Sequence, residues 1–415
     1  MRLIRITTNY HSYLKQFYVQ HPELKAKSYE VQYQTLMSDC FAWVDSWTRS
    51  LAPLGYEVWE PVANAEPMQK AWAQENNVGY QEENWLLDII AAQVKCFQPD
   101  ILFVHDYSTF SAEFLNQLRQ QCSSIRLVLG YCGAPGSDDS VFHAYDVVLS
   151  CHPGLVDHFR SNGHRGTYLR HAFEPRILDR LDRTPKQTID FSFIGSIIKG
   201  KKFHHQREQL LKQLIQQTDL QIWADISKPS PQELQKLPFR QAAYDLIQMV
   251  KSLPGSQSLL ATLPKLKTYA SLEQRPDLSG YIDAAIADRA HPALFGLSMF
   301  QKLFESRITL NTHIDLAGPF AVNMRLYEAT GVGTCLLTDW KPTLHELFEP
   351  DREVVTYQSP EECVEKVKWL LEHPQERETI ARAGQARTLK EHTFTQRAMQ
   401  LDEIIQVNIP LTAHV

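Results

Sequence analysis

The strongest constraint in this chain is a pattern that runs twice. Short apolar runs alternate with longer segments whose apolar residues recur every three or four positions. In the first half the short runs are Leu3–Thr7, Tyr56–Val62, Ile101–His105, Arg126–Tyr131 and Tyr145–Ser150. The clearest helical spacing between them joins Leu36, Met37, Cys40, Phe41, Val44, Trp47 and Leu51, with Pro53 and Gly55 to end it. Apolar strands separated by helices pair in parallel and are covered on both faces. The polar stretch 183–188, RTPKQT, reads as a hinge. Beyond it the pattern restarts, with strands at Ile189–Ile194 and Leu220–Ala224 around a helix over 203–217. Strands at Arg307–Thr312, Thr334–Thr338 and Glu353–Tyr357 follow, with a helix from about Asn323 and closing helices near 360–372, 375–391 and 394–408. Residues 226–306 break the alternation. Prolines at 229, 231, 238, 254, 264, 276 and 292 punctuate what reads as a wholly helical insertion.

The pattern implies two doubly wound halves facing a cleft, with a ligand at the carboxyl ends of their strands. The expected boundaries are 1–184, 185–394 with the insertion at 226–306, and a last helix, 395–415, packing back on the first half. A chain of 415 residues suits two large domains. Its net charge of −6 lacks the dominant basic footprint that nucleic acid needs, so nucleic acid is not an expected partner. Seven cysteines, an odd number with no C-x-x-C pair, argue against a disulfide framework and for a reducing cytoplasm. No run of 18 apolar residues marks a transmembrane segment, which leaves only a peripheral membrane contact open. The histidines at 143, 152, 158, 164 and 171 show no metal-ligand spacing, and no metal site is expected.

Three stretches can carry chemistry. The first is Gly318–Asp339, GPFAVNMRLYEATGVGTCLLTD. Asn323 suits the N-cap of a helix, whose free N–H groups and dipole favour a phosphate. Arg325 adds a bidentate donor, and Glu328 can accept hydrogen bonds from ribose hydroxyls. Gly331 and Gly333 would stop the helix. The plainer reading is a capped helix with an Arg325–Glu328 pair. The second stretch is FSFIGSIIKGKKFHHQR at 191–207. Gly195, Ser196, Lys199, Lys201, Lys202 and Arg207 would let backbone N–H groups and cations meet a diphosphate. Its P-loop spacing ends on Lys202 rather than the Ser or Thr that would ligate magnesium, and an unliganded basic loop is the alternative. The third is Pro99–Asp106, where His105 could take a proton near neutral pH and Asp106 could orient it or act itself. A Tyr131–Pro135 turn would line the same region.

Residues Asn323, Arg325, Glu328, Ala329, Gly333 and Thr338, then Phe348, Glu353–Tyr357, Gly384 and a closing His392-Thr393-Phe394-x-x-Arg397, resemble group-1 glycosyltransferases of the GT-B fold. The nearest likeness is to the branch related to spore-maturation glycosyltransferases. The resemblance implies two Rossmann-like domains and transfer of a sugar from a nucleotide-diphosphate sugar to a glycan, protein or small-molecule acceptor, without a metal or other cofactor. It implies a donor site of Gly195, Ser196, Lys199, Arg207, Asn323, Arg325 and Glu328, with Glu328 on the ribose. It also implies that His105 of Pro-Asp-x-x-x-x-His faces the donor sugar, with Asp106 beside it. Phe320 stands where retaining members carry a second Glu, so neither retention nor inversion is implied. A same-fold nucleotide-sugar epimerase and an inactive nucleotide-sugar-binding scaffold are the alternatives.

Overall fold

The computed structural model describes residues 1–134, 139–184, 187–197, 204–226, 229–251, 275–278 and 280–410. Six strands form the first sheet: β1 (Arg2–Ile6), β2 (Glu57–Trp59), β3 (Ile101–Val104), β4 (Leu127–Tyr131), β5 (Val147–Ser150) and β6 (Gly166–Tyr168). Their order is β2-β1-β3-β4-β5-β6, all parallel, with Ile4 opposite Leu102, Leu102 opposite Val128 and Leu129 opposite Val147. Every residue of β3, β4 and β5 is buried, as strands covered on both faces require. The second sheet holds β7 (Ile189–Ile194), β8 (Leu220–Trp223), β9 (Ala290–His291), β10 (Ser306–Asn311), β11 (Cys335–Asp339) and β12 (Val355–Tyr357), in the order β12-β11-β10-β7-β8-β9.

The helices of the first half are α1 (His11–Gln20), α2 (Tyr29–Ser38), α3 (Ser46–Leu51), α4 (Glu66–Glu75), α5 (Trp85–Phe97), α6 (Ala112–Gln121), α7 (Pro153–Ser161) and α8 (Ile177–Arg180). Those of the second are α9 (His205–Gln217), α10 (Pro231–Lys251), α11 (Ala284–Arg289), α12 (Gly296–Phe304), α13 (Arg325–Val332), α14 (Pro360–Glu372), α15 (Pro374–Glu391) and α16 (Phe394–Asn408). By contacts the chain separates into one unit of 1–192, 294–313 and 317–415 and another of 193–293 and 314–316. Among the described residues no helix is long and apolar enough to cross a membrane. All seven cysteines are free, and six are buried.

Three local expectations fail, each for a tertiary reason. The helix expected through Leu36–Leu51 breaks after Ser38, and Cys40, Ala42 and Val44 take positive φ of 57°, 55° and 32°. The buried Arg5 guanidinium donates to the Val44 carbonyl at 2.6 Å, which holds the broken segment down. The stretch 226–306 is not wholly helical, since β9 extends the second sheet beside β8. Gly331 does not stop α13. It lies inside the helix, where a Cβ would come within 2.4 Å of the Phe173 ring, and Gly333 at φ 85° ends the helix.

The last helix is fixed by the His392–Arg397 stretch. Phe173 and Thr393 form a parallel bridge, Phe173 N–H donates to the His392 carbonyl at 2.8 Å, and Phe394 packs edge-on to Trp47. Arg397 donates to the His171 carbonyl at 3.1 Å and meets His392 Nδ1 at 3.2 Å, while Thr393 and Gln396 form a capping box. Tyr56 donates to Asp402 at 2.5 Å farther along α16.

Candidate active site

Strand β10 delivers the chain to the first candidate cluster. Asn323, whose sequence position suits the N-cap, does not cap the helix: the cap position is Met324, with no side-chain cap. The Asn323 carboxamide instead donates to Asn311 Oδ1 at 2.9 Å and to the Thr312 carbonyl at 3.0 Å, tying the loop to the end of β10. One turn on, Arg325 Nη1 meets Glu328 Oε2 at 2.9 Å, with both side chains largely buried. Arg325 also points at Met299 Sδ, 3.2 Å away. Its charge is thus partly committed to Glu328 rather than offered alone to a phosphate. A carboxylate has about four acceptor positions, so the pair leaves Glu328 with capacity for hydroxyl donors. Tyr10, just beyond β1, stands near this carboxylate. Burial, and then the Glu328 charge, raise its phenol above the ordinary value.

His105 closes β3 and stands on a buried ion pair. Arg5 Nη1 lies 2.7 Å from His105 Nδ1, and Arg5 Nε lies 2.5 Å from Glu60 Oε2. Glu60 accepts further from Thr48 N–H at 2.7 Å and the Thr48 hydroxyl at 2.8 Å. The imidazole stacks on Trp43 with centroids 4.1 Å apart, and Tyr131 meets it edge-on at 5.0 Å. A guanidinium can only donate, so Nδ1 must accept and the ring proton sits on Nε2. Burial, then the Arg5 charge and His171, push the imidazole well below its usual range. His105 is therefore a neutral N–H donor at Nε2 and a poor proton acceptor.

Asp106 faces its own loop. It accepts from the Thr8 hydroxyl at 2.5 Å, Ser108 N–H at 2.9 Å, the Ser108 hydroxyl at 2.6 Å and the Thr109 hydroxyl at 2.5 Å. Burial opposes these donors, but together they hold the carboxyl below its ordinary value. Four donors leave little acceptor capacity for a substrate proton.

In the second unit, Gly195 N–H donates to the Trp223 carbonyl at 3.1 Å. Arg207 is buried. Its Nη1 donates to the Ser196 carbonyl at 2.7 Å and meets His204 Nε2 at 3.0 Å, with the guanidinium over the Phe193 ring. Arg207 thus closes the turn after β7. Lys199, Lys201 and Lys202 lie outside the described residues, as do Pro135 and Asp138.

Several participants escaped the sequence reading. Arg5 and Glu60 could have been found, since a cation inside the buried strand RLIRI requires a partner. Trp43 could not, because it sits in the broken helix. His313 follows β10 with its ring against Asp339, and nothing in the spacing joins two residues 26 apart. Phe320, in the place of the second Glu, packs edge-on to His152 with centroids 5.0 Å apart. Among the described residues no group of three or more His, Cys, Asp or Glu could hold a metal ion.

Two parallel six-stranded sheets with these connections are the fold of GT-B glycosyltransferases. At the level of sequence, residues 247–403 match the family model described as glycosyl transferase-like. A glycosyltransferase from Rickettsia africae aligns with a TM-score of 0.56 at 10 % identity, covering 99 % of both chains. HepE from Anabaena in complex with UDP-glucose aligns at 0.55 and 11 % identity, over 98 % of this chain and 100 % of that one. Sucrose-phosphate synthase from Thermosynechococcus elongatus aligns at 0.51 and 10 % identity, over 98 % of each. No curated protein sequence matches the chain. The expectation of a glycosyltransferase-class enzyme with the GT-B fold stands on these two findings.

Proposed function

We propose that the chain transfers a sugar from a nucleotide-diphosphate sugar, with Glu328 on the donor ribose and His105 donating Nε2–H to an oxygen of the sugar. The observation that carries this is Glu328: a largely buried carboxylate in the first turn of a helix, reached directly from a strand end, with acceptor capacity left beside Arg325. The Anabaena neighbour is in complex with UDP-glucose, which makes UDP-sugars the first donors to try. Asp106 positions the loop after β3 and takes no proton. Gly195, Ser196, Lys199 and Arg207 keep the role their sequence suggests, a glycine-containing basic turn for the diphosphate. Cationic groups would then stabilise the leaving group without a metal. The acceptor is a glycan, protein or small molecule, and kinship with the spore-maturation branch rests on the motif at 323–329.

The test is calorimetry of UDP on Glu328→Ala. Loss of a charged hydrogen-bond partner costs about 1.5–3 kcal/mol, or roughly 10- to 150-fold in affinity. The variant is expected to keep its thermal transition, and unchanged affinity would remove Glu328 from the site.

A further inference from the structure

His313 and Asp339 form a pair at the carboxyl ends of two neighbouring strands. Asp339 is the last residue of β11, and His313 lies two residues beyond the end of β10. Asp339 Oδ1 accepts from His313 Nδ1 at 2.7 Å and from His313 N–H at 3.0 Å, while Lys341 Nζ lies 3.4 Å from Oδ2. The ring is therefore clamped in one orientation by its own backbone and a carboxylate. Its other nitrogen, Nε2, is fully buried and has no hydrogen-bond partner among the described residues. A buried polar atom left unpaired is costly, and native structures rarely keep one without a use.

The place and the chemistry narrow that use. His313 lies on the loop that Asn323 ties down, ahead of Arg325 and Glu328. With Nδ1–H given to Asp339, the imidazolium form of the ring carries its second N–H at Nε2, and such a donor suits an anionic oxygen. Arg325, the cation nearest this helix start in sequence, is paired with Glu328. We propose that His313, clamped by Asp339, donates Nε2–H to the diphosphate of the bound nucleotide. The inference rests on the donor-site reading of Glu328 and adds the group that meets the leaving charge.

The test is calorimetry of UDP and of uridine on the wild-type chain, His313→Asn and Glu328→Ala. An asparagine amide can still donate to Asp339 where Nδ1 did, but nothing replaces the far nitrogen. His313→Asn is expected to weaken UDP by about 10- to 150-fold, the range for a charge-assisted hydrogen bond, and to leave uridine unchanged. Should the variant fail to fold, nitrogen-15 NMR of the wild-type histidines reads the same contact: the His313 Nε2 signal must move with UDP and stay put with uridine. UDP bound as tightly by His313→Asn, or UDP and uridine weakened alike, overturns the proposal. If Glu328→Ala weakens UDP and His313→Asn does not, this inference alone fails. If the wild-type chain binds none of UDP, GDP and ADP, the donor-site reading falls and takes this one with it.

Discussion

Replacing His105 separates two roles that differ by orders of magnitude. As a general base it would supply about 10²- to 10⁴-fold in rate. The structure gives it the other role, because Arg5 occupies Nδ1 at 2.7 Å and burial holds the ring neutral. A neutral hydrogen bond from Nε2 is worth about 0.5–1.5 kcal/mol, which is roughly 2- to 13-fold. His105→Ala is therefore expected to lower kcat/KM for a UDP-sugar by that small factor. His105→Gln, whose terminal amide N–H reaches toward the old Nε2 position, should recover most of it. Initial rates of UDP release across pH 5.5–8.5 read both quantities. The folded imidazole titrates well below 6.5, so no ascending limb between pH 6 and 7 should belong to His105. A loss beyond 10²-fold in His105→Ala, together with disappearance of such a limb, would refute the donor role and restore the base.

Two stability measurements follow from the same unit. Glu60→Gln leaves the Arg5 charge buried without its counter-charge, and breaking a buried pair from one side costs about 3–5 kcal/mol; the urea midpoint should fall accordingly, and the double change Arg5→Met with Glu60→Leu should cost less. An unchanged midpoint in Glu60→Gln would contradict the ion pair. Burial and the Arg397 charge push His171 down to about 3, while burial, then Arg397 and other arginines against the Leu347 carbonyl, push His392 down to about 4. Both folded values lie below the unfolded 6.5, so the unfolded chain takes up more protons and stability is lost as pH falls from 6.5. Between pH 6.5 and 4.5 the loss is on the order of 3 kcal/mol per histidine at most. Asp39, raised to about 6 mainly by burial, works in the opposite sense between 3.8 and 6. Urea midpoints at pH 7 and 4.5 should show the net loss, and His392→Gln should flatten it; an equal slope in that variant would remove His392 from the account.

The doubly wound halves were readable because parallel buried strands are apolar on both faces, and that signal is local. Strand β7 and helices α14 and α16 fall on their expected spans, whereas β6, three residues long, carries too little pattern to announce itself. The segment at 323–328 was readable as a helix start, yet the use of Asn323 was not, since its partners Asn311 and Thr312 come from the preceding strand end.

What the sequence determined by itself is whatever depends on near neighbours along the chain. That includes which runs become strands, where most helices stop, and that His105 and Glu328 stand where strand ends and helix starts place ligands. Tertiary structure alone decided the protonation of these groups and their company. Arg5 reaches His105 from 100 positions away and makes a base into a donor. Trp43 reaches the same ring only because three residues with positive φ break a sequence that is periodic as a helix. His313 finds Asp339 because β10 and β11 are neighbours in the sheet. Each of these is an electrostatic or packing relation across space, and no local propensity encodes which distant side chain will neutralise a buried charge.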